Sequence, residues 1–305
     1  MPIETRRPNL FLVGAQKSGT TTLALMLDQH PKISMSQPKE PGYLAFGTAG
    51  YTALDGYGRV VNAASWVVRT EQAYLALFRS APENASFLGE ASTWYLSEPG
   101  MPERLHDFNP QAHVVAILRQ PADRAYSAWC HARRDREEPH EQFAQALAAE
   151  PARKNASHLL RYREMSRYLK PLEQYIERFG KDHVHIMFYE DLRDDPDSLW
   201  LSCCKFLGLT SERTPAAYQQ NRSGLPRSRL IHSMLRSKRV KRCMRRVLPL
   251  RFTAWAKHRL DTSNLRRLPP LPAAQRNALS REFIEETKAL MALTGRDLTH
   301  WLPDD

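Results

Sequence analysis

Four short apolar runs punctuate the chain: Asn9–Val13, Ser86–Gly89, His113–Leu118 and His183–Phe188. Each is a strand candidate, and each after the first follows a helical stretch, which argues for a sheet covered on both faces. Helical spacing lies between them. It is clearest over 159–179, where Tyr162, Met165, Leu169, Leu172, Ile176 and Phe179 recur three or four apart and Gly180 ends the run. Asp195-Pro196 supplies an N-cap and a proline at the first helical position, opening a helix that runs to Gly208. Strands alternating with helices predict an α/β fold of three layers around a mainly parallel central sheet of about five strands. Residues 38–74 are rich in Gly, Tyr and Ala and show little periodicity, so long loops are expected there, of the kind that carry function.

Composition adds few constraints to that picture, but charge adds one. With 42% hydrophobic and 25% charged residues the chain is ordinary globular material, which excludes wholesale disorder. The net charge of +11 points to an anionic partner. Much of it is concentrated between Arg222 and Arg267, where fifteen Lys/Arg stand against one acid, Asp261. Leu230, Ile231, Met234 and Leu235 suggest a basic amphipathic helix inside this block. The simplest organisation is one domain over 1–305 with a basic, mostly helical C-terminal portion, 222–305. That portion could steer an anionic substrate, touch an anionic membrane surface, or be a solvated face.

Four cysteines, Cys130, Cys203, Cys204 and Cys243, show no C-x-x-C spacing, so a zinc framework is not expected and a reducing setting is. The apolar run after Arg6-Arg7 is too short for a secretion signal, and no stretch approaches the length of a spanning helix. A soluble, cytoplasmic protein is the expectation. No sequence signal bears on the oligomeric state.

The chemistry begins directly after the first strand. Gly14 and Gly19 bracket a turn that leads into an apolar-periodic helix through Leu23, Leu25, Met26 and Leu27. A strand–turn–helix junction gathers unpaired N–H groups at the positive end of a helix dipole, which makes it a ready anion site. The glycine spacing is that of a Walker A loop, but Thr20 stands where the Walker lysine belongs, and the only lysine, Lys17, lies inside the loop. Leu118-Arg119-Gln120-Pro121 offers no acid for a magnesium ion, although Glu190-Asp191 follows a later strand. A phosphate cradle without metal apparatus fits better than a kinase loop.

Gln16-Lys17-Ser18-Gly19-Thr20-Thr21-Thr22-Leu23 resembles the 5′-phosphosulfate loop of sulfotransferases that use 3′-phosphoadenosine-5′-phosphosulfate (PAPS). Val114 to Ser127, a strand ending in Arg119 and a helix with Ser127 eight residues on, is similar to the same family's 3′-phosphate segment. Phe188-Tyr189-Glu190-Asp191-Leu192 resembles a third family pattern, a strand end. These resemblances imply a P-loop-like nucleotide site holding PAPS, and after transfer adenosine 3′,5′-bisphosphate (PAP), with no metal. Gln16, Lys17, Ser18, Gly19, Thr20, Thr21 and Thr22 would cradle the 5′ side, and Arg119 and Ser127 the 3′-phosphate. Asn221-Arg222-Ser223-Gly224 partly resembles a late loop of the family, which adds Arg222 and Gly224. Arg124 is read as structural.

For the reaction, the resemblance gives Lys17 the bridging oxygen between phosphate and sulfate. Gln37 to Phe46 is similar to a segment of glycan sulfotransferases whose glutamate is the general base, which makes Glu40 the candidate. Tyr43-Leu44-Ala45-Phe46 replaces the paired aromatics of that segment. Alternative bases are His106, His113 and His131. The implied activity is transfer of a sulfuryl group to a hydroxyl on a saccharide, glycolipid or natural product, with an amine also open. The rivals are an ATP- and magnesium-dependent phosphotransferase and a basic nucleic-acid or membrane-binding module. The phosphate motifs argue against a nucleic-acid partner.

Overall fold

The computed structural model describes residues 6–61, 67–211, 214–215, 224–226, 265–267 and 270–304, with the backbone alone at 224–226 and 265–267. Arg222, Cys243 and the expected basic helix around Leu230–Leu235 lie outside the described residues.

Nine strands are described: β1 Leu10–Gly14, β2 Ile33–Met35, β3 Ala53–Leu54, β4 Val60–Val61, β5 Phe87–Ala91, β6 His113–Leu118, β7 Val184–Phe188, β8 Gly224–Pro226 and β9 Leu265–Arg267. Five of them form the central sheet in the order β2-β5-β1-β6-β7, and every pairing is parallel. The helices, in chain order, are α1 Thr20–Leu27, α2 Tyr43–Phe46, α3 Glu71–Ala76, α4 Met101–Phe108, α5 Pro121–Asp135 and α6 Phe143–Ala149. They continue with α7 Leu169–Phe179, α8 Tyr189–Asp194, α9 Pro196–Phe206, α10 Ala273–Arg281 and α11 Ile284–Thr294. The expected three-layer α/β architecture with a five-stranded parallel sheet is present.

The strand alternation explains why both faces of β1 are apolar. Phe11 and Val13 of β1 face a core completed by Leu105, Leu172, Tyr175, Leu290 and Trp301. Leu10 and Leu12 face the opposite core, made with Leu23, Met26, Trp200 and Cys203. Successive side chains of one strand therefore enter two different cores, and both must be apolar. Parallel strands align their C-terminal ends at one edge of the sheet, where ligands of open α/β sheets are bound.

Three differences from the sequence reading have physical causes. Edge strand β2 spans only three residues, too short to stand out as an apolar run. Within 38–74 the chain forms two short helices and the antiparallel β3–β4 pair. The helix expected over 159–179 begins only at Leu169, and 3₁₀ turns at His158–Leu160 and Glu164–Ser166 precede it. The Tyr162 carbonyl, which a helix would use internally, accepts from the Arg124 guanidinium at 2.7 Å and the Ser166 hydroxyl at 2.9 Å. Arg124, fully buried, also donates to Ser166 Oγ at 2.6 Å, in keeping with the structural role read for it.

The segment after residue 270 is built into the core. Leu290, Leu298 and Trp301 join the cluster beneath β1 and β6, and the Trp301 ring lies 5.7 Å from that of Phe188. The Trp301 carbonyl accepts from Gln120 Nε2 at 3.2 Å, which ties the chain end to the strand-end turn after β6. Trp301→Ala is expected to cost about 3–5 kcal/mol, the range for emptying a buried tryptophan site. Denaturant unfolding checks this, and a loss under about 1 kcal/mol would show that the segment is only an overlay.

Candidate functional site: a cationic cradle at the sheet edge

β1 runs directly into the glycine-bounded turn. Ala15 N–H donates to the Ile117 carbonyl at 2.8 Å and Ser18 N–H to the Ala15 carbonyl at 3.2 Å, so the turn is fastened to β6 and to itself. α1 then begins with Gly19 as its N-cap, at φ 93° and with no side chain to satisfy the first helical N–H groups. A Cβ at Gly19 would lie 2.8 Å from Leu192 and 3.1 Å from the Tyr189 ring, so glycine is required here for space as well as for φ. Two polar atoms of the turn, Gln16 Oε1 and Ser18 Oγ, are buried with no partner among the described residues. Unmet helix N–H groups beside the orphaned Ser18 hydroxyl, which can donate, describe a site shaped for an anion, while the orphaned Gln16 oxygen is an acceptor that calls for a donor. Thr20 is buried in the first turn of α1, and Thr21 and Thr22 are partly exposed beside it.

Lys17 stands at φ 72° and its ammonium is enclosed, with Nζ 2.8 Å from His131 Nδ1. Burial, with Arg134 and Arg119 nearby, lowers its pKa from 10.5 to about 7, against the opposing pull of Asp135 and Glu40. His131 falls to about 4, through burial first and the Lys17 charge second, so at neutral pH it is an uncharged acceptor for the lysine. An anion seated in the cradle would favour the charged lysine again.

Arg119 leaves the end of β6, lays its guanidinium 4.6 Å over the Tyr189 ring, and donates to the Lys17 carbonyl at 3.4 Å. The third sequence pattern therefore packs against both phosphate motifs at once. Glu190, the acid that a magnesium-binding reading would need, accepts from Gln120 N–H at 3.3 Å, and Asp191 pairs with Arg296 at 2.7 Å. Among the described residues no group of three or more His, Cys, Asp or Glu is placed to hold a metal. Ser127 is buried on α5, one helical turn before His131, so both belong to the helix face turned toward Lys17. Gly224 lies in β8, paired with Arg267 of β9, and β8 runs close to α5.

Glu40 approaches from the segment after β2. It has φ 63°, and its N–H donates to the Ala91 carbonyl at 3.0 Å, fixing it beside the end of β5. Only four described non-glycine residues have positive φ, and Lys17 and Glu40 are two of them. Such backbone costs energy and gathers at functional sites. Glu40 Oε1 accepts from Thr93 Oγ1 at 3.0 Å and from Lys39 Nζ at 2.7 Å; Oε2 carries no hydrogen bond among the described residues. Beyond Thr93, the rings of Phe46, Tyr51, Trp94 and His158 cluster with centroid separations of 4.8–6.5 Å. Of the aromatics in the Tyr43–Phe46 segment, Phe46 joins this cluster while Tyr43 stacks on Tyr74.

The structure thus brings together Lys17, Arg119, Ser127 and Glu40. Among the three histidines named as alternative bases, it places only His131 beside Lys17. His106 packs on Phe179 and His113 between Phe87 and Phe206. Sequence reasoning missed Thr93, which holds Glu40, and Arg134 and Asp135, which crowd His131. The four-residue interval from Ser127 to His131 was the available signal for the last group.

A parallel α/β sheet with a cationic, glycine-bounded cradle at its C-terminal edge defines a class of nucleotide-dependent group transferase. Residues 8–213 match the model of the sulfotransferase family, more than half of the chain, and the chain belongs to that family. It is 29% identical over 211 residues to the human bifunctional heparan sulfate N-deacetylase/N-sulfotransferase 3, covering 67% of this chain and 22% of that protein. The mouse bifunctional heparan sulfate N-deacetylase/N-sulfotransferase 4 is 26% identical over 307 residues, 97% of this chain and 31% of that protein. The chain therefore spans between a fifth and a third of the length of these curated relatives. A sulfotransferase from Alicyclobacillus acidocaldarius has a crystal structure that matches with TM-score 0.73 and 28% identity, covering 97% of this chain and 99% of that one. Among the described residues no helix is long and apolar enough to cross a membrane.

Proposed function

We propose that the chain transfers a sulfuryl group from PAPS to a hydroxyl or amine of a saccharide acceptor, releasing PAP. The observation that carries this reading is the convergence of Lys17, the α1 N-terminus and Arg119 on one enclosed anion cradle, with the Glu40 carboxylate facing the same lysine. The family supports sulfuryl transfer, and relatives named as heparan sulfate N-sulfotransferases support a glycan acceptor with nitrogen as one possible nucleophile.

Each residue then has a task set by its environment. The turn N–H groups, Gln16, Ser18 and Thr20–Thr22 bind the 5′ side of the donor, and Arg119 and Ser127 grip the 3′-phosphate, Arg119 by a charge-assisted fork. Lys17, recharged by the bound anion, stabilises the phosphate oxygen that leaves sulfur as the S–O bond breaks. Glu40 Oε2 takes the acceptor proton as the nucleophile forms its bond to sulfur, while Thr93 and Lys39 hold the other oxygen. Positioning and charge supply what a metal gives a phosphotransferase. Arg222 and Gly224, from the partial resemblance to the family's late loop, would contribute to binding the 3′-phosphate, and the charge of the basic 222–267 portion would favour an anionic acceptor.

The direct test is incubation with PAPS and a panel of desulfated and N-deacetylated glycans in excess EDTA, reading sulfated product by mass. Turnover in EDTA is the expected result, whereas turnover only with ATP and Mg²⁺ would return the phosphotransferase.

For the donor, Arg119→Ala should weaken PAP by about 2–4 kcal/mol, the scale for removing one partner of a buried charge pair. Binding of 5′-AMP should change far less, and equal losses by calorimetry would take the 3′-phosphate away from Arg119. For the base, Glu40→Gln should keep PAP affinity while single-turnover rates fall about 10²–10⁴-fold. A near-normal rate would move the base elsewhere.

A further inference from the structure

A chain of polar contacts on α5 ends at Lys17, and its far member has no place in the reading above. His131 Nδ1 lies 2.8 Å from Lys17 Nζ, and His131 Nε2 lies 3.3 Å from Asp135 Oδ2. The other carboxylate oxygen, Asp135 Oδ1, accepts from Arg134 Nε at 3.0 Å. Each oxygen of Asp135 therefore has its own donor, and the carboxylate is braced at the C-terminal end of the helix. One Arg134 nitrogen is almost equidistant from both ring nitrogens of His131, at 3.1 and 3.0 Å. A single atom so placed lies over the ring and not on either in-plane lone pair, so the two in-plane directions are left to Lys17 and Asp135. A carboxylate only accepts, so the nitrogen facing Asp135 must carry the proton, and the Lys17 ammonium, in its charged form, only donates. The ring between them must then carry its proton on Nε2 and offer Nδ1 bare.

We propose that Asp135 is a positioning residue for the transfer: it fixes the Nε2–H tautomer of His131, and His131 in turn holds the Lys17 ammonium at the mouth of the cradle. The inference rests on the sulfuryl-transfer reading for its kinetic consequence, though not for the tautomer itself. The groups facing Lys17 are Arg119 from the end of β6, Glu40 from the segment after β2, and Cys130, His131, Arg134 and Asp135 from α5. Two of these charged groups repel the ammonium and two attract it, so the loss of one acid shifts the balance toward the neutral amine. Without Asp135 the ring is free to present Nδ1–H to the lysine, which replaces an acceptor by a like-polarity donor.

Asp135→Asn tests this with three readouts on the full chain. Long-range ¹H–¹⁵N NMR of the ligand-free protein reports the His131 tautomer and needs no turnover. The wild type should show Nε2–H alone, and Asp135→Asn a mixture or the reversed form. In kinetics, Asp135→Asn should lower kcat about 10–100-fold. The alkaline limb of kcat/KM for PAPS, which reports the free enzyme, should lie near pH 7 and move to lower pH in the variant, because a lysine with one acid fewer loses its proton earlier. Asp135→Glu should restore most of the rate, and in a His131→Ala background Asp135→Asn should lose most of its effect on kcat while still moving the alkaline limb. A wild-type Nδ1–H tautomer overturns the proposal. So does an Asp135→Asn protein with an unmoved alkaline limb, since loosened packing lowers a rate without shifting that limb. If the NMR result holds and no acceptor is ever sulfated, the sulfuryl-transfer reading fails while the Asp135–His131–Lys17 arrangement stands.

Discussion

Crowding of like charge at one end of a parallel sheet is the constraint around which this protein is arranged. Lys17, Arg119 and Arg134 are held near one another, and such a concentration of fixed cations is what an anion cradle needs. The same concentration is unfavourable while no anion is bound, and Lys17 yields first because it is the member that can release a proton. Around it, one acid enters from the Glu40 segment, another from the end of α5, and a neutral imidazole lies between lysine and carboxylate. The site is poised: its lysine is partly discharged as it stands, and an anion seated there would recharge it.

Holding such a site together requires rigid supports that take no part in chemistry. Tyr189 stacks on Arg119 and fills the space that a side chain at Gly19 would need, so one residue of α8 fixes both phosphate motifs. The Gln120 side chain caps α5 by accepting from Asp123 N–H at 2.7 Å, while its amide nitrogen donates to Ser280 Oγ at 2.7 Å and to the Trp301 carbonyl. The helix that carries Ser127 and His131 is thereby locked to the C-terminal helices. At its other end, buried Glu138 accepts both Arg153 guanidinium nitrogens, at 2.7 and 2.8 Å, and the Tyr162 hydroxyl at 2.6 Å. A buried pair this fully hydrogen-bonded fixes the exit from α5, and with it the place of Asp135.

What could be read from the sequence depended on whether the information was local. Strands β1, β5, β6 and β7 were legible because burial leaves short, mostly apolar runs between helical stretches, and the glycine-bounded turn was legible because its glycines and lysine are neighbours in the chain. The break in the 159–179 helix was not, since it depends on Arg124 reaching across to the Tyr162 carbonyl from 38 residues away. Thr93 and Glu40 are 53 residues apart and Lys17 and His131 114 apart, and no periodicity connects such pairs. Edge strand β2 was missed for a different reason: three residues are too few to show a pattern.

The two halves of the site are built from different materials, and this separates their specificities. The donor side stands on β1, α1, β6 and α5, regular elements whose hydrogen bonds and two-sided packing leave little freedom. On the proposed reading the acceptor side stands on residues 36–61, where short elements are fixed by isolated contacts. Leu54 N–H donates to the Asn155 carbonyl, Gly56 N–H to the Glu137 carbonyl, and Gly42 N–H to Ser92 Oγ. Such a segment can change sequence and shape between contacts without disturbing the sheet. Glu40 belongs to this segment but is anchored to the sheet itself, through Ala91 and Thr93. If Glu40 is the base proposed above, a carboxylate fixed relative to Lys17 on a segment otherwise free to vary would let one fold keep its chemistry while its acceptor changes.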